Sequence, residues 1–201
     1  MTDLKAQTDA AVRWWKALGP MQTSDGTMLP GDRATLARLR RCSSPMEAAI
    51  EPATAKLFKA LGFDPRKEDH LGRAATLAAV LAHVRKDGKG TIALAIGAPS
   101  GGKPEDALLK PNRFRSLMAA RTDDEILTSF RRVVAMLDRT ANVRDLAKLV
   151  LSWTDDEAGD KARVHFAFAY HGAAQFAPEP DTENGTVTGA KKPETLIAEK
   201  V

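Results

Sequence analysis

One cysteine, one tyrosine and no apolar run approaching the ~20 residues that cross a bilayer set the first limits on this 201-residue chain. A lone Cys42 excludes an intrachain disulfide framework and fits a reducing compartment. The opening Met1-Thr2-Asp3-Leu4 lacks a basic region followed by an apolar core, so the expectation is a soluble, cytoplasmic protein without a membrane partner. There is no H-E-x-x-H, no G-x-S-x-G and no Cys/His pair in a catalytic setting, and the carboxylates fall where helices are capped. His70 and His83 have no cysteine or acid at ligand spacing. We therefore expect no enzyme, no metal and no cofactor.

What the chain does have is helical periodicity and arginine. Composition of 43% hydrophobic and 28% charged residues suits one sizeable domain or two small helical lobes. Net charge is +4, but five acids and three lysines from Ala177 onward make the tail −2 and leave the body at +6. A modestly basic body of this kind admits nucleic acid as a partner without requiring it.

The stretch from Arg113 to Trp153 concentrates this pattern. Asn112 opens a piece with Phe114, Leu117 and Met118 at helical spacing. Thr122 and Glu125 form a capping box before Ile126, Phe130, Val133, Val134 and Leu137. Asn142 is the N-cap for Val143, Leu146, Val150 and Trp153. Eight basic residues (Arg113, Arg115, Arg121, Arg131, Arg132, Arg139, Arg144 and Lys148) face five acids here, three of which sit in one helical first turn. There they meet the positive end of the helix dipole, which leaves most arginines of the segment unpaired.

Elsewhere the chain reads as helix after helix. Residues 3–18 form the first, with Thr2 as a cap, Trp14 and Trp15 on adjoining faces, and Gly19-Pro20 as the stop. Asp32 caps a second helix carrying Arg33, Arg38, Arg40 and Arg41 against no acid but the cap. Ser44-Pro45-Met46-Glu47 starts another that Pro52 interrupts and Gly62 ends. The alanine-rich segment from His70 to Lys86 reads as a scaffold helix. Thr154 to Glu157 begins a last one, in which Phe166, Phe168, Tyr170 and Phe176 serve the core. From Pro178 on, proline, glycine, threonine and charge replace periodicity, so the tail is expected to be disordered.

One stretch points another way. Thr91 to Ile96 is strand-like and Gly97 to Lys103 matches the first seven positions of the phosphate-binding GxxxxGK[ST] loop. Pro104 then stands where the Mg²⁺-binding hydroxyl belongs, and it disfavours helix at Lys103. A degenerate nucleotide-binding protein is thus the weakest reading, and the rest of the chain lacks the alternating pattern of a parallel sheet, so a short helix or an extended piece followed by a flexible loop to Asn112 is expected here.

Trp14-Trp15 with Leu18, the Gly31 to Arg41 segment, Arg113 to Met118, and Asn142 to Trp153 together resemble the CasB family, over about residues 10–172 and in matching order. CasB is the small subunit of type I-E Cascade, the CRISPR surveillance complex. The Gly97–Pro111 loop and the tail depart from the family pattern. The resemblance implies an all-α, multi-helix bundle of two packed lobes over residues 1–176, one lobe to about 96 and the other over about 112–176, with a disordered tail at 177–201. It implies a non-catalytic subunit present in two copies, with other Cascade subunits, guide RNA, and target and displaced DNA strands as partners. The strand-binding set is then Arg33, Arg38, Arg40, Arg41, Arg113, Arg115, Arg121, Arg131, Arg132, Arg139, Arg144 and Lys148, of which some in each segment pair with acids or meet partner subunits. A structural adaptor without nucleic-acid contact is the alternative.

Overall fold

Side-chain caps start six of this chain's helices among the described residues. In the computed structural model, residues 3–22, 25–99, 102–155 and 158–172 are described. The tail at 177–201 and Phe176 lie outside them. The order is α1 (Leu4–Leu18), a two-residue antiparallel hairpin of β1 (Met21–Gln22) and β2 (Met28–Leu29), α2 (Arg33–Arg41), α3 (Pro45–Ala49), α4 (Pro52–Ala60) and α5 (Glu68–Ala82). Then come β3 (Lys86–Asp87), α6 (Ile92–Ile96), a 3₁₀ turn at Pro104–Asp106, α7 (Pro111–Ala119), α8 (Asp123–Met136), β4 (Thr140–Ala141), α9 (Val143–Trp153) and α10 (Gly159–Tyr170). The expected all-α class holds. None of these helices is long and apolar enough to cross a membrane, among the described residues.

Six of the caps are made by residues whose chemistry suits the place, Thr91 at the start of α6 among them. Asp32, Ser44, Thr122 and Asn142 each accept from a backbone N–H one turn on, and the Glu125 carboxylate completes the capping box by accepting from Thr122 N at 3.2 Å. Asp3 rather than Thr2 caps α1, accepting from Lys5 N at 3.0 Å. Pro111 occupies the first turn of α7, so that helix starts one residue before Asn112. Pro52 likewise sits at the start of α4 and splits the segment into two pieces.

At the centre lies α5, whose residues from Arg73 to Ala82 are all buried. A helix apolar on every side belongs in the middle of its bundle, and its alanines let neighbours approach closely. Helices α2, α3, α4, α8 and α9 pack against it, and α1 lies against α4 and α9. Trp14 is buried with its Nε1–H donating to the Ala53 carbonyl at 2.9 Å, while Trp15 is only half-buried. Two arginines are interior too. Arg73 donates to Leu151 O at 3.0 Å and pairs with Asp155 at 3.2 Å, and Arg163 donates to Trp153 O at 3.1 Å and to Asp160 at 3.0 Å.

Two expectations change. The helix read from His70 to Lys86 runs instead from Glu68 to Ala82, and the chain beyond it forms β3, parallel to β4 with Lys86 opposite Thr140 and Asp87 opposite Ala141. The last helix starts at Gly159 rather than at Thr154, with Asp155 Oδ1 accepting from Ala158 N at 2.8 Å. Within it Phe166 and Tyr170 enter the core against Phe114, while Phe168 is 55% exposed. Of the two conformations expected after Thr91, short helix or extended piece, the chain takes the helix, α6, capped by the Thr91 hydroxyl. Ile92, Ala93 and Ile96 are buried on one side of that helix, which packs on α10; tertiary packing overrides the β-branched preference.

Gly97, the first glycine of the incomplete phosphate loop, has a packing role. A Cβ there would stand 2.3 Å from the Tyr170 carbonyl oxygen, so the missing side chain is what lets α6 meet the end of α10. The loop closes at its base through Leu109 N to Ile96 O at 2.9 Å and Tyr170 Oη to Leu109 O at 2.6 Å. Gly97→Ala should therefore lower stability by about 1–3 kcal/mol through overpacking. Urea denaturation of the variant beside the parent chain measures it, and equal midpoints would contradict this role.

Candidate nucleic-acid interface

The carboxyl end of α5 gathers arginines from three parts of the chain. Buried helix ends leave carbonyls that need donors, and side-chain cations near a C-terminus also meet the negative end of the helix dipole. Arg40, in the last turn of α2, donates from Nε to the Ala82 carbonyl at 2.6 Å. Arg131, from α8, spans α2's end with both terminal nitrogens, to Cys42 O at 2.8 Å and to Arg40 O at 3.0 Å. Arg139 follows α8 in a left-handed turn, where Asp138 and Arg139 have φ of 49° and 58°. Its carbonyl accepts from Arg85 N at 2.8 Å and Lys86 N at 3.3 Å, which brings the segment after α5 alongside.

These contacts place Arg40, Arg131 and Arg139 around one residue, His83, the C-cap of α5, with Arg85 acting on Arg40. Burial, with Arg131, Arg139 and Arg40 nearby, lowers the His83 pKa from 6.5 to about 4. Burial, with Arg85 and Arg139, also lowers that of the half-buried Arg40 guanidinium. Among the described residues, no carboxylate offsets either effect. His83 Nε2 is buried without a hydrogen-bond partner among the described residues.

The remaining candidates are distributed as follows. Arg38 pairs with Glu51 at 2.8 Å, and Arg144 pairs with Asp9, tying α9 to α1. Arg121 donates to Met118 O at 2.7 Å and Ala120 O at 3.1 Å and so caps the end of α7. Arg41 donates back to Ala37 O at 3.2 Å and Arg115 to Asn112 at 2.9 Å, both on the surface. Arg33, Arg113 and Lys148 are exposed, and their side chains make no hydrogen bond or ion pair among the described residues. Arg132, next to Arg131 but turned about 100° around the helix, lines a different feature. This is an open groove between α7 and α8 shared with Ser116, Asp124, Glu125 and Ser129.

Arg85 was absent from the sequence-derived set. Its signal was the Arg85-Lys86 pair at the end of the alanine-rich segment, but extending the helix through it hid the point where the chain turns toward Arg139. The second basic helix and the Arg113–Trp153 stretch, by contrast, do meet here, through Arg40 and Arg131.

The depressed His83 fixes the sign of a pH effect. Below pH 6.5 the unfolded chain takes a proton at this position that the folded chain refuses until about pH 4. Stability is therefore complete above that window and falls as pH drops through it. Urea denaturation at pH 7 and pH 5 should show a loss at pH 5 that His83→Gln reduces; an equal loss in the variant would contradict the environment described for His83.

Comparison with known proteins gives one match. A family model described as CRISPR-associated protein Cse2 covers residues 35–171, from within α2 to the end of α10, and includes all four arginines of the α5 cluster. No curated protein and no solved structure matches the chain. Because the family match spans well over half the sequence, and Cse2 is the CasB small subunit that the sequence resembles, the chain belongs to the Cse2 family of type I-E Cascade subunits.

Proposed function

We propose that this Cascade subunit is non-catalytic and holds nucleic-acid strands by their backbone, stabilising target and displaced DNA in the R-loop during antiviral defence. The observation that carries this reading is the gathering of Arg40, Arg85, Arg131 and Arg139 at the end of α5, where no carboxylate among the described residues offsets the effects on Arg40 or His83. Like charges brought together cost folding energy, and a polyanion recovers it. Arginine suits the task because its planar fork meets phosphate oxygens without reading base sequence. R-loop formation exchanges one duplex for another of similar stability, so backbone contacts of modest strength can tip it. The unpaired Arg33, Arg113 and Lys148 add exposed positive charge, while Arg38, Arg121 and Arg144 are engaged within the chain by Glu51, carbonyls at the end of α7 and Asp9. In the complex, other Cascade subunits, guide RNA and a second copy of the chain complete the setting.

Gel retardation of an arbitrary single-stranded oligonucleotide by the full chain, repeated over a range of salt, tests this. The parent chain should bind unrelated sequences alike. Arg85→Gln combined with Arg139→Gln should flatten the log–log salt slope by about 0.7 for each phosphate no longer neutralised. Absence of binding at low salt would favour the adaptor role instead.

A further inference from the structure

A basic surface that merely attracts strands needs no histidine beneath it. Here His83 is faced by Arg40 from α2, by Arg131 from α8 and by Arg139 from the turn after α8, with Arg85 two residues beyond it acting on Arg40. From the α3 side, Glu47 and Glu51 act on Cys42, together with Arg131, and on neither His83 nor Arg40. The four arginines are not equally available. Arg131 has both terminal nitrogens on carbonyls, and Arg40 has its Nε on Ala82 O. The terminal nitrogens of Arg40 and the whole guanidinium groups of Arg85 and Arg139 make no hydrogen bond among the described residues. Arg85 and Arg139 both act on Arg40, and three partly free forks set near one another in this way suit a group with several acceptor oxygens, which is what a phosphodiester offers.

We infer that this end of α5 is a proton-coupled phosphate seat, in which Arg40, Arg85 and Arg139 take one phosphate group of a strand and His83 becomes protonated as the phosphate arrives. The inference rests on the strand-holding reading and adds a specific position and a specific linkage to it. With the seat empty, the arginines and burial keep His83 neutral down to about pH 4. A phosphate above it supplies the negative charge that favours the imidazolium, and the proton comes from solvent. Binding therefore takes up a proton between that pH and the ordinary histidine value of about 6.5, and affinity rises as pH falls through the window.

Oligothymidylate is the suitable probe, because neither its base nor its phosphodiester titrates in this range. Its affinity for the full chain is measured at pH 7.5 and pH 5.5. Restoration of His83 to its ordinary value predicts about a tenfold rise at the lower pH. In His83→Gln the ratio of the two affinities should fall close to one. An equal rise in parent and variant overturns the seat, because another group would then carry the proton. Binding by the parent that is the same at both pH values overturns it too, while leaving the strand-holding reading intact. A parent chain that binds no oligothymidylate at either pH sinks both. Should the variant fail to fold, NMR titration of the His83 ring in the parent chain decides: its midpoint moves upward when oligothymidylate is added, and an unmoved midpoint overturns the proposal.

Discussion

The carbonyl end of α5 is the constraint on which the rest of this molecule depends. A helix buried on all sides cannot hydrate its last carbonyls, and each one left without a donor deep in the bundle costs about 1–3 kcal/mol. The chain answers with a guanidinium. Arg40 reaches Ala82 O from α2, and Arg131 in turn holds the end of α2 from α8, so two cations join three helices at one place. The negative pole of α5 favours their charge. The left-handed turn at Asp138 and Arg139 then brings the chain back beside Arg85 and starts the short parallel pairing that leads into α9.

This arrangement gives the basic residues two kinds of work. Arg131 is spent on carbonyls and fixes the end of α2, whereas the Arg85 and Arg139 guanidinium groups make no hydrogen bond among the described residues. Arg38 and Arg144 are neutralised by Glu51 and Asp9, exposed pairs of the kind that contribute little to stability. The interior arginines, Arg73 and Arg163, serve carbonyls and acids between helices and face aromatic rings, with Arg73 over Phe63 and Arg163 over Trp153. Counting arginines along the sequence overstates the surface, and the pairing in space corrects the count.

Much of the helical organisation was legible because the caps are local. Asp32, Ser44, Thr122 and Asn142 do in space what their side chains suggest in sequence. What stayed hidden was set by contacts across the chain. Ile92 and Ile96 favour a strand by type, but the face that α10 offers makes them helical. Gly97 resembled the start of a phosphate loop, whereas its role follows from a carbonyl far along the sequence, that of Tyr170. His83 looked like an ordinary helix residue, since nothing near it in sequence announces arginines from positions 40, 131 and 139. The arginine-rich segments themselves were visible, while their meeting point and the part played by Arg85 required the fold.

The central claim is that strands lie at the end of α5. Hydrogen–deuterium exchange of the full chain, with and without oligothymidylate, tests it most directly, because a bound strand slows exchange where it excludes water and steadies the backbone. The account predicts slower exchange over residues 83–88 and 138–142 and the end of α2. Protection confined to the α7–α8 groove or to the exposed side of α10, with the end of α5 unchanged, would contradict it.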